Sequence, residues 1–153
     1  MPSFRPLRLV APVACAALLI PAAALAAKPT SQDGAFSASS SNGSHQLSVG
    51  VASGKINSVY AIVPLAKHGT KCKGMGVSDS TSFQLVLKHA VRPSSSGSFS
   101  ITSTRAKADS KSRARISVSG RFTSATKARA RVTASAKGCT GRYSASAKFG
   151  RVG

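Results

Sequence analysis

A strict alternation near the C-terminus limits what this chain can fold into. In "KARARVTASAK" the residues Ala128, Ala130, Val132, Ala134 and Ala136 alternate with Lys127, Arg129, Arg131, Thr133, Ser135 and Lys137. After "GCTG", which reads as a turn, Tyr143, Ala145, Ala147 and Phe149 alternate with Arg142, Ser144, Ser146 and Lys148. Period two on both sides of a glycine-bounded turn gives a hairpin with one buried and one wet face. A helix competes for "TKARARVTASAK", because Ala, Lys and Arg are strong helix formers. The neighbouring Val, Thr and Ser, and the alternation running on into the next segment, favour β.

The same period runs upstream. "SRARISVSGRFTS" sets Ala114, Ile116, Val118, Gly120 and Phe122 against Arg113, Arg115, Ser117, Ser119 and Arg121. "HQLSVGVAS" alternates through Leu47, Val49 and Val51, "SFQLVLKHAV" through Phe83, Leu85 and Leu87, and "GSFSITS" through Phe99 and Ile101. "INSVYAIVPLA" is more continuously apolar and reads as a strand covered on both faces, with Pro64 demoting its end to an edge or bulge. A Gly-x-aromatic-hydroxyl echo recurs at Gly34, Gly97, Gly120 and Gly141. Its spacing is too irregular for a solenoid, and each aromatic is expected to plug a core beside a tight glycine. The expected fold is all-β: an antiparallel sandwich or partly open barrel of about seven or eight strands.

The N-terminus bears on compartment. Arg5 and Arg8 precede an apolar run, Leu9–Leu25, which ends in Ala24-Leu25-Ala26. This is the layout of a cleaved secretory leader, with an uncleaved anchor as the rival reading. Pro12, Pro21 and the abundance of Ala favour cleavage after Ala26. The expected organisation is a signal peptide over 1–26, a flexible segment with a possible first strand over 27–44, and a β-domain over 45–153. Exported protein is expected in the medium or at the cell surface, with no membrane span once the leader is cut.

Removing the leader removes Cys15 and leaves Cys72 and Cys139, 67 positions apart. Two cysteines in an exported chain read as one disulfide. A metal site around His68 and Cys72 is the rival, but Cys139 has no His or Cys partner at ligand spacing. No metal or cofactor is expected.

Of 22 basic residues two lie in the leader, so 20 face three acids (Asp33, Asp79, Asp109) and the net charge is about +17. Three scattered Asp and no Glu leave nothing to build a glycosidase pair. His45, His68 and His89 read as exposed residues near strand ends, with no Ser and Asp set against them. "GVSDS" lacks the final Gly of a nucleophile elbow, and "SATK" (Ser124–Lys127) matches Ser-x-x-Lys without its companion motifs. "GTKCKG" has phosphate-loop glycine spacing but continues into Met75-Gly76. It reads instead as a basic loop carrying Lys67, Lys71 and Lys73. A disulfide would bring that loop beside Lys137 and Arg142. These five, with Arg113, Arg115, Arg121, Arg129 and Arg131, are the candidate anion-binding residues.

"ISVSGRFTS", the mid-chain Cys72 after an apolar strand, and "GCTGRYSASAKF" resemble small exported single-domain β proteins of high-GC actinobacteria. The likeness spans most of Leu47–Phe149. It departs at Tyr143, where a Trp would be expected, and in the excess of positive charge. It implies a β-sandwich or barrel module with a Cys–Cys link, and no activity carries over from it. The expected function is therefore a non-enzymatic β-domain binding anionic wall polymers or other polyanions. A basic nucleic-acid-binding protein is the alternative, disfavoured in vivo by the leader, and a small secreted hydrolase is the second.

Overall fold

A computed structural model describes residues 27–72, 81–108 and 112–151. Ten strands occur among them: β1 (Gly34–Ser39), β2 (Gln46–Ala52), β3 (Lys55–Val63), β4 (Ala66–Lys67), β5 (Thr70–Lys71), β6 (Thr81–Val91), β7 (Ser98–Ala108), β8 (Ser112–Ser124), β9 (Lys127–Ala136) and β10 (Cys139–Arg151). All pairings are antiparallel, in the order β1-β2-β3-β6-β7-β8-β9-β10. β1 pairs again with β10, Phe36 opposite Phe149, so the sheet is a nearly closed barrel. Strands β4 and β5 form a small hairpin hung on β10 at Thr140–Ala66.

Two irregularities keep the barrel from perfect closure. β6 and β7 are in register only at Phe83–Ala108 and Gln84–Lys107. β10 pairs with β1 from Lys148 onward and with β4 at Thr140, leaving its middle without a registered second neighbour.

The turns explain the register. Ser53-Gly54, His68-Gly69 and Lys137-Gly138 each have both residues at positive φ and join β2–β3, β4–β5 and β9–β10. Two left-handed residues match the right-handed twist of the flanking strands, and Gly takes the second position without strain. The expected "GCTG" turn thus lies earlier, at Lys137-Gly138, and Cys139, Thr140 and Gly141 belong to β10. Ala136 and Cys139 face each other across the turn, so the two-residue I′ geometry decided its position.

Eight strands enclose a space that side chains can just fill. Phe36, Leu47, Ile56, Val59, Phe83, Ile116, Val118, Phe122 and Val132 are fully buried in it. Phe36 lies 4.9 Å from Phe122 and 5.3 Å from Phe149, and Phe99 lies 5.2 Å from Phe122, ring centroid to centroid. Three of the four Gly-x-aromatic echoes thus feed one aromatic cluster. β9 faces it with small residues: Ala128 stands opposite Phe122 and Ala134 opposite Ile116. That size match is why an alanine-rich segment is a strand here, and the helix alternative falls. β3 is covered on one face only, a second correction. Val59, Ala61 and Val63 are buried, while Tyr60 is exposed and Ile62 half-buried, because no second layer among the described residues packs on the outside of the barrel.

Cys72 and Cys139 are disulfide-bonded. The bond pins the end of the β4–β5 hairpin to the start of β10, and Cys72 N–H donates to Leu65 C=O at 2.9 Å.

Candidate functional site: a basic outer face

Alternation that sends β8–β10 apolar residues inward sends their polar residues out, where the register orders them in rows. Arg121 stands opposite Arg129, and Arg129 opposite Ser146. One row along, Ser119 stands opposite Arg131, and Arg131 opposite Ser144. The next rows hold Ser117, Thr133 and Arg142, then Arg115, Ser135 and Thr140. Arginine therefore meets a hydroxyl at most crossings. This spreads the charge, since like charges directly opposite each other destabilise a sheet. Within β8–β10 the register puts cation against cation at Arg121–Arg129 and Lys127–Lys148, and between β7 and β8 at Lys107–Arg113.

The first two rows border a shallow depression of about 510 Å³ between Arg121, Arg129, Arg131, Ser119, Ser144 and Ser146. Arg131 Nε donates to Ser144 Oγ at 3.1 Å, and Arg121 Nε donates to Ser96 C=O at 3.0 Å. Both bonds use Nε, and both arginines are exposed, so their terminal NH₂ groups remain as donors for an oxyanion. Among the described residues Asp33 is the sole acidic side chain, and it accepts the Ser53 N–H at 3.3 Å on another part of the barrel. Nothing described on the face neutralises it.

The candidate residues fall into groups. Arg115, Arg121, Arg129, Arg131 and Arg142 are exposed on the shared outer face. Lys67, beside the His68-Gly69 turn, and Lys137, within the Lys137-Gly138 turn, are exposed at the disulfide end. Lys71 lies in β5 and Arg113 in β8, and Lys73 lies outside the described residues, as do Asp79 and Asp109. The hydroxyls of Ser119, Ser144 and Ser146 were not singled out from the sequence. Only the strand register, which sets each beside an arginine, gives them a role.

The histidines separate. His68 sits exposed in a turn and His89 exposed on β6. His45 departs from the expectation of an exposed residue: it is half-buried, with its ring 5.1 Å from that of Tyr143 and Nδ1 2.9 Å from Ser44 Oγ. Tyr143 fills the stretch of β10 that lacks a second strand neighbour, and His45 covers it. "SATK" is the β8–β9 hairpin itself: Ser124 pairs with Lys127, and its Oγ accepts the Thr126 N–H at 3.2 Å. No group of three His, Cys, Asp or Glu side chains placed to hold a metal occurs among the described residues.

Fold and site together define a disulfide-linked antiparallel β-barrel with an arginine–serine outer face. No protein-family model, curated protein or solved structure matches the chain.

Proposed function

We propose that this protein is an exported, non-enzymatic β-domain that binds anionic polymers of the cell wall or surface through the outer face of β8–β10. One observation carries the reading: three guanidinium groups line an open depression with serine hydroxyls between them and no described acid beside them. A shallow, open, charged face suits a polymer lying across it better than a small molecule, which needs enclosure. Backbone phosphates or carboxylates would engage the forks one after another, without reading a sequence of monomers. The disulfide supports a non-cytoplasmic compartment, where wall polymers and acidic polysaccharides are the available partners. A genomic nucleic-acid role is the weaker alternative, although DNA would bind the same face in vitro.

The test is a salt titration of binding to wall teichoic polymer, heparin and duplex DNA. Affinity should fall steeply with ionic strength for all three. Replacing Arg121, Arg129 and Arg131 with Ser should reduce the slope of log K against log salt on DNA by about 2–3. The fold should survive, because these side chains are exposed. An unchanged slope, or no binding at low salt, would overturn the proposal.

A further inference from the structure

A second depression, of about 430 Å³ and more enclosed than the first, lies where the β2–β3 turn meets the β6–β7 loop. Three cations line it from three separate parts of the chain: Lys28 from the segment before β1, Lys55 at the start of β3, and Arg92 just after β6. None has a hydrogen-bonding or ionic partner among the described residues. Asp33, whose carboxylate holds the Ser53 N–H, is the one described acid near this end.

The walls are held in place. Thr30 N–H donates to Ala125 C=O at 3.0 Å and fixes the first segment, in which Pro29 is buried. Ser94 N–H donates to Ser98 C=O at 2.8 Å, Gly97 N–H to Ser94 C=O at 2.9 Å, and the Ser98 N–H to Ser94 Oγ at 3.0 Å, which sets the loop behind Arg92. Ser53 and Gly54 form a tight turn at positive φ. Three positive charges held around one cleft repel each other unless water or an anion lies between them.

We propose that this cleft binds the phosphate group of a small phosphate ester. Arg92 offers a planar fork to two phosphate oxygens, and Lys28 and Lys55 supply compact charges that fit a phosphate from the sides. Ser53 and Ser95 also line the cleft, and Pro29 and Pro93 give it apolar wall for the carbon skeleton of an ester. The volume is within the range of small-molecule pockets, and the cleft is more enclosed than the face proposed for polymers. The site shares no residue with that face, so either can fail alone.

An amide chemical-shift titration of the protein with glycerol phosphate, inorganic phosphate and glycerol tests the proposal. Expected are saturable shifts at Ser53, Gly54 and Ser95 with glycerol phosphate, weaker ones with inorganic phosphate, and none with glycerol. Replacing Lys55 and Arg92 together with Ser should weaken glycerol phosphate about ten-fold or more. The Arg121, Arg129 and Arg131 triple variant should bind it like the unaltered protein. The absence of saturable shifts, unchanged affinity in the Lys55/Arg92 variant, equal loss in the triple variant, or equal binding of glycerol would overturn the site. Equal affinity for inorganic phosphate would overturn its assignment to an ester.

Discussion

At Gly120, in the middle of β8, a neighbour occupies the space that a side chain would take. An added Cβ would lie 2.7 Å from the Phe99 ring and 2.5 Å from the Arg129 carbonyl oxygen. Gly34 is covered in the same way by the ring of Phe149. A ring laid over a strand glycine restores the contact the glycine lacks and brings the aromatic cluster close to the sheet. The motif's glycine is therefore a packing partner here rather than a turn residue, although Gly97 does sit in a loop at positive φ. Gly120→Ala should lower stability by about 1–3 kcal/mol through overpacking. Gly150→Ala, where nothing lies within 4 Å, should leave it nearly unchanged. Chemical denaturation of the two variants side by side checks this, and equal effects would show that the ring contact contributes nothing.

Among the elements, the β4–β5 hairpin depends most on a covalent link. Two residues per strand form too little ladder to be stable alone, and one registered pair, Thr140–Ala66, joins it to β10. Its other anchors are the buried Leu65 and the Cys72–Cys139 bond, which closes a loop of 67 residues. Closing a loop of that size restricts the unfolded chain by about 4 kcal/mol on the chain-entropy account. Cys139→Ser should accordingly cost about 2–5 kcal/mol. The unreduced protein should resist alkylation at both positions, as mass spectrometry would show. Ready alkylation without reductant would mean that the bond does not form in the native protein.

For the whole molecule, charge and compartment are linked. A net charge of +19 over 153 residues attracts polyanions and opposes compaction by self-repulsion. Where the described residues carry it, the barrel tolerates this because β8–β10 place Arg115, Arg121, Arg129, Arg131 and Arg142 outward in water, with hydroxyls between most of them. The proposal of export makes a direct prediction: the protein isolated from its source should begin at or near Ala27 and lie outside the cytoplasm. N-terminal sequencing of each cell fraction checks it. An intact Met1 species in the cytoplasm would remove the wall polymers from consideration and raise the nucleic-acid reading.

Alternation, with the neighbouring Val, Thr and Ser, favoured β over helix, and it gave which side of β8, β9 and β10 is buried and that Arg115, Arg121, Arg129 and Arg131 face water. A strand sends neighbouring side chains to opposite sides whatever it pairs with, so that information is local. The cysteine pairing was equally legible: with Cys15 of the three cysteines assigned to the expected leader, one pair admits one bond. Which strands are neighbours depends on contacts between distant segments, and so does the size matching of Ala128 to Phe122. The sheet's return from β10 to β1 turned the choice between sandwich and barrel into a nearly closed barrel. Register alone set Ser144 beside Arg131. Lys28, Lys55 and Arg92, far apart in sequence, share a cleft because the chain ends of three segments meet at one rim of the barrel, a meeting that no local pattern encodes.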